Sequence, residues 1–282
     1  MQKFTTRCLT SFNNHPIFVQ GPVNLREEVL SLLSRHCSDQ VGELTHHSYR
    51  LQVELLPGIS QQAALRSQDA AGIWLLLSKY LAPSQVHDEV TTSTIFHEVI
   101  SILSSLIRLR RDLVTHSLPH LGMLLRQLLL CMRACRPNLG AKQTNIIMST
   151  QPRWIHSAQP LGVDEAKMLG RLLEGLLTKT TVRFLASSSS TSDTQKAESL
   201  AKPFSKHAAY VLEAYIESMN DPLCVLSLEV RKELQPGIFA LCSMISDHSR
   251  DALMASALDA GGKTILKSLW KEYDKQKYVG KG

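Results

Sequence analysis

Residues 94–130 read TIFHEVISILSSLIRLRRDLVTHSLPHLGMLLRQLLL. Ile95, Val99, Ile102, Leu103, Leu106 and Leu113 recur there at helical spacing. That is the repeat of one buried helix face, and no part of it shows the period of two that a half-buried strand needs. The spacing predicts a helix over 94–114. A second is expected over 118–135, with Pro119 in its first turn, where a missing N–H costs nothing. The run 118–132 is the most apolar in the chain, yet His120 and Arg126 interrupt it and it is too short to span a bilayer. It reads as a helix buried in protein.

The same pattern extends both ways. Upstream, helices are expected over 24–36, behind Asn24 as cap, and over 60–81, ended by Pro83; only 49–56 would tolerate a strand. Downstream, Pro137, Gly140, Pro152, Pro160 and Gly162 mark a long loop, which is either functional or packed as irregular backbone. Helices follow over 164–185, over 197–219 with a kink at Pro203, over 223–234 and over 236–245. A last long helix is expected over 249–277, entered through Asp247, with a break or tight packing at Gly261 and Gly262. Residues 186–195, ASSSSTSDTQ, are too polar to bury themselves and are expected to form a mobile loop. The fold class is therefore all-α: an array of antiparallel helices, bundle or helical-repeat-like, with a long C-terminal helix. Residues 60–282 form its all-helical domain, and 1–59 a leader with one helix and irregular segments.

Composition limits the function. The 282 residues are 44% hydrophobic and 20% charged, ordinary for a folded chain. The opening MQKFTTRCLTSFNNHPIF has no apolar run behind a basic start, so an intracellular, soluble protein is expected. Six cysteines, at 8, 37, 131, 135, 224 and 242, are too scattered for a disulfide scaffold and read as reduced thiols. A net charge of +6 permits nucleic acid or an acidic partner without demanding either.

Chemistry-bearing motifs are scarce. Gly261-Gly262-Lys263-Thr264 imitates the end of a phosphate-binding loop, but the earlier glycine is Ala257 and a helix precedes where a strand should. Cys131 and Cys135 fall one helical turn apart, half of a zinc site with no second pair at a suitable spacing. His97-Glu98 lacks the second histidine of a metalloprotease helix, since position 101 is Ser. No nucleophile, base and orienter are grouped, so no catalytic residue, cofactor, metal or small-molecule substrate is nominated. Two basic features remain. Arg108, Arg110 and Arg111 end one helix, with Arg126, Arg133 and Arg136 following, although cations at a helix C-terminus also serve its dipole. Lys263, Lys267, Lys271 and Lys275 form a row that drifts over roughly 120° of the last helix. Both are candidates for RNA phosphates or an acidic partner, against the plainer reading of a solvated face. Trp270 and Tyr273 are expected to be core anchors tying that helix onto the one over 236–245.

The C-terminal third also carries recognisable text: SLAKPF (199–204), NDPLC (220–224), ELQPGIFAL (233–241) and ALDAGGKTILKSLWKEY (257–273), with Gly280-Lys281 at the tail. It resembles the C-terminal domain of the nucleolar pre-rRNA processing family called unhealthy ribosome biogenesis protein two, of the Urb/Npa type. RLRRDLVTHSLPHLGMLLRQLL (108–129) fits the same domain, and the resemblance runs from about residue 60, most firmly from 95. It implies a non-enzymatic nuclear and nucleolar factor in early assembly of the large ribosomal subunit. The implied partners are a sister helical Urb/Npa protein, a DEAD-box helicase, small assembly factors and pre-rRNA, with no membrane. Family members are much longer, so the resemblance also implies a chain cut from a longer one.

Overall fold

The computed structural model describes residues 67–88, 91–179 and 198–279. The expected helix over 24–36, the possible strand over 49–56, the leader and the Ser-rich loop lie outside these residues. Within them the chain is helical: α1 (Ser67–Tyr80), α2 (Ser93–Leu109), α3 (Arg111–Thr115), α4 (Leu118–Cys131), α5 (Ala141–Met148), α6 (Val163–Gly175), α7 (Ala201–Asn220), α8 (Leu228–Met244), α9 (Asp247–Ala252) and α10 (Ala260–Val279). One π turn, Leu253–Ala257, follows α9. Two short strands, β1 (Ala134–Cys135) and β2 (Cys224–Val225), pair antiparallel, Ala134 opposite Val225 and Cys135 opposite Cys224.

Helices distant in sequence make most of the packing. α6 lies along α8 most closely, α4 along α7, and α2 against α6; α7 also carries α8 and α10. Buried residues from Ile73 to Leu269 form one continuous hydrophobic cluster. Gly170 and Gly237 set the tightest of these contacts. A Cβ on Gly170 would come within 2.6 Å of the Glu233 carbonyl oxygen. One on Gly237 would come within 2.7 Å of the Gly170 oxygen. Backbone therefore meets backbone, and no side chain could be added without parting the helices.

Several element boundaries differ from the sequence reading. The helix expected over 94–114 stops at Leu109. Arg110 leaves helical geometry (φ −129°, ψ 46°), and its guanidinium pairs with Asp112 at 2.9 Å. α4 ends at Cys131, where Arg133 Nε and Gln151 Nε2 both donate to the Leu130 carbonyl, at 3.1 and 3.0 Å. Pro203 makes no kink, because it lies in the first turn of α7, where no N–H is required. Pro236 does not separate two helices: α8 runs through it, with the proline on the exposed side, and gives up the bond to the Lys232 carbonyl.

The loop after β1 holds α5, which the sequence reading did not anticipate, and then folds as packed irregular backbone. Trp154 Nε1 donates to the Tyr80 carbonyl at 2.7 Å, and the Thr92 amide donates to the Trp154 carbonyl at 2.9 Å. Arg153 pairs with Asp88 at 3.0 Å. The loop thereby seals the ends of α1 and α2.

Nor is the last helix continuous. Leu258 is extended (φ −106°, ψ 138°), and α10 begins afresh behind Asp259. The Gly262 amide donates to Asp259 Oδ1 at 2.7 Å, which is N-capping. Asn220, at the end of α7, donates to both carboxylate oxygens at 2.8 and 2.9 Å. Gly261 and Gly262 thus sit in the first turn of α10 rather than in a helix interior. A Cβ on Gly261 would collide with the Asn220 side chain.

Candidate interaction surface

The arginine cluster is largely consumed by the fold. Arg108 is exposed, but Arg110 is half-buried on Asp112. Arg111 is only 5% exposed; its Nε donates to the Ile107 carbonyl at 3.3 Å and its Nη1 to the Glu198 carbonyl. Burial draws its guanidinium down from the ordinary arginine range. The buried guanidinium of Arg111, offered by the sequence reading to an external phosphate or carboxylate, ties α3 to the start of the α7 segment. Arg126 clamps α4 to α7 through Glu217 (2.7 Å) and Glu213 (3.3 Å), lying over the Tyr210 ring at 4.7 Å. Arg133 reaches Thr150 at 2.6 Å, and Arg136 the Cys224 carbonyl at 3.0 Å.

The lysine row fares differently. Lys267, Lys271 and Lys275 are exposed along α10. Lys263 is half-buried and belongs to the capping group instead. The Gly262 amide and Asn220 hold Asp259 below the ordinary carboxylate range, and the Lys263 charge adds to them. With Asp259 occupying the N-terminus of α10, the phosphate-loop look-alike has no open anion site.

A cleft of about 630 Å³ separates α10 from α9 and the π turn. Lys267, Lys271 and Lys275 stand on one side, Arg250 and Asp251 on the other, and Met254, Leu266 and Trp270 form the floor. Arg250 lies 5.4 Å over the Trp270 ring and pairs with Asp247 (3.1 Å) and Asp251 (3.3 Å). Tyr273 reaches Phe239 of α8 at 5.8 Å, as expected of an anchor, and meets Trp270 edge-on at 5.9 Å. Trp270 also packs against the core cluster, but it is half-buried and Arg250 lies over its ring. Sequence reading missed Arg250 and Met254 because they lie across a helix break that falls at Leu258, ahead of the Gly261-Gly262 pair where a break or tight packing was expected.

Cysteine geometry also differs from the sequence spacing. Cys131 ends α4 while Cys135 lies on β1, so they share no helix face. Cys135 faces Cys224, whose thiol donates to Asp221 Oδ2 at 3.2 Å. Burial pushes the Cys131 and Cys224 thiols up to about 12. Among the described residues no group of three His, Cys, Asp or Glu is placed to hold a metal ion, and no helix is long and apolar enough to cross a membrane.

The family model described as Urb2/Npa2 family matches residues 27–281. The chain belongs to the Urb2/Npa2 family. Membership implies a role in ribosome biogenesis, and the family is not known as one of enzymes. It suggests a nuclear and nucleolar setting. The match begins earlier than the text resemblance near residue 60, and so takes in part of the segment read as leader. No curated protein and no solved structure matches the chain.

Proposed function

We infer that this Urb2/Npa2 chain is a non-catalytic scaffold module in pre-rRNA processing and early assembly of the large ribosomal subunit. It works in the nucleolus and holds other assembly factors, among them a sister helical Urb/Npa protein and a DEAD-box helicase, against helical surfaces. The observation that supports this is α10: its inner face is anchored on α7 and α8, while its lysine-bearing side stands exposed beside an apolar-floored cleft. Helix ridges with grooves beside them suit helix-to-helix docking. A tagged chain expressed in cells should co-purify with early large-subunit particles. Recovery without them would remove the reading.

One observation favours a second reading, direct contact with pre-rRNA. Lys267, Lys271 and Lys275 carry charge on an exposed helix face, the arrangement a phosphate backbone attracts. Replacing Lys263, Lys267, Lys271 and Lys275 with Gln should then flatten the dependence of log affinity for RNA on log salt. An unchanged slope returns the row to protein contact or solvent.

A further inference from the structure

The two walls of the α9–α10 cleft differ in a way that points to its occupant. Arg250 is already fixed by Asp247, Asp251 and the face of Trp270. Lys267, Lys271 and Lys275 make no ion pair among the described residues. They stand one helical turn apart, over about 12 Å of rim. Between them and α9 lies the apolar floor of Met254, Leu266 and Trp270. In all, α10 carries five lysines against Glu272 and Asp274.

We propose that this cleft is the docking site for an acidic amphipathic helix of a partner protein. Carboxylates one turn apart on that helix face Lys267, Lys271 and Lys275, and an apolar side chain between them enters against Met254 and Trp270. The proposal rests on the scaffold reading above and names the chemistry of the partner. A matching helical rise on both sides lets three pairs form in register, and the apolar anchor supplies the desolvated centre that interfaces need.

RNA fits the same site less well. Arg250 already lies over the Trp270 ring, so a base stacking on that face would have to displace the guanidinium. Asp251 and Asp274 line the same cleft, where an unbroken phosphate backbone would meet them. A partner helix can place a neutral residue at those points. The floor gains stability only when an apolar group covers it.

The test uses the full tagged chain recovered on pre-ribosomal particles. Carbodiimide, which joins an amine to a carboxylate, is applied to one portion and ultraviolet light to another, and adducts are mapped by mass spectrometry. The expected result is Lys267, Lys271 or Lys275 joined to an acidic segment of another protein. Trp270→Ala and, separately, Met254→Gln should lower that adduct about ten-fold per recovered particle, the loss typical of a buried anchor. Particles in which these lysines join only nucleotides overturn the proposal in favour of RNA. Particles with no adduct at the three lysines, or adducts indifferent to both variants, overturn it as well. If no particles are recovered at all, the scaffold reading has failed first.

Discussion

Gly170 and Gly237 hold α6 and α8 in backbone contact: a Cβ on Gly237 would lie 2.8 Å from the Gly170 Cα. Neither atom is the end of a flexible side chain, so an added methyl group must separate two helices. Alanine ordinarily favours a helix over glycine by about 1 kcal/mol. Here Gly237→Ala and Gly170→Ala are each expected to destabilise by roughly 1–3 kcal/mol, the usual cost of overpacking. Denaturant midpoints of the two variants check this, and a gain in stability at either site would contradict the contact.

Arg111 and Arg108 should behave oppositely despite lying three residues apart. Arg111→Ala removes a buried guanidinium donating to the Ile107 and Glu198 carbonyls and is expected to cost about 1.5–3 kcal/mol. Arg108→Ala, at an exposed position, should stay within about 0.5 kcal/mol. Thermal unfolding of both distinguishes a structural cation from a surface one.

Glu165 ties α2 to the start of α6, accepting from His97 Nε2 and from the Gly162 amide, both at 2.8 Å. Burial pushes its carboxyl up, but the Gly162 amide, its own amide and His97 together outweigh this and hold it below the ordinary range. A carboxyl lowered in the folded state contributes stability above its unfolded pKa of about 4.3 and loses it as pH falls through the folded value. Glu165→Gln should therefore lower the unfolding temperature at pH 7, with the gap to the parent closing towards pH 3. A gap independent of pH would mean that the charge is irrelevant.

Cys135 and Cys224 form a register pair on β1 and β2. The Arg136 amide bonds the Leu223 carbonyl at 3.0 Å, which makes the neighbouring cysteine pair the one without ladder bonds between its members. Such pairs stand about 4.5 Å apart at Cα, within reach of a disulfide. A thiol-specific oxidant such as diamide is expected to join them, slowly at neutral pH because burial pushes the Cys224 thiol up to about 12, and faster as pH rises. Peptide mapping without reduction checks the bond, while buried Cys131 and Cys242 should remain free thiols.

Much of this architecture was legible in residue spacing. Ile95, Val99, Ile102, Leu103 and Leu106 announce α2, and all five are buried. The break at Arg110 was not legible, since apolar residues continue at helical spacing to Leu113, whereas the break or tight packing expected at Gly261 and Gly262 is met three residues earlier, at Leu258. Pro236 misled in the other direction: local rules favour a helix end there, but burial of Leu234, Gly237 and Ile238 against neighbouring helices outweighs one lost hydrogen bond. α5 escaped notice because only Ile147 and Met148 of its eight residues are buried. The lysine row could be read directly, since it lies on one uninterrupted helix. Its opposite wall could not, because Arg250 and Met254 are brought to it by a turn between two helices.

The Asn220–Asp259 joint places α10 by a contact with α7, not by continuity with α9. Chain length just before the joint is therefore free to vary. Residues 255–257 are exposed, and lengthening that stretch would alter the covalent path without altering the address to which α10 is delivered. The same independence gives α10 the character of a replaceable part: a separate peptide beginning at Asp259 would carry its own cap and its own Tyr273 contact, and is expected to bind a chain that ends before it, which calorimetry of the two pieces checks.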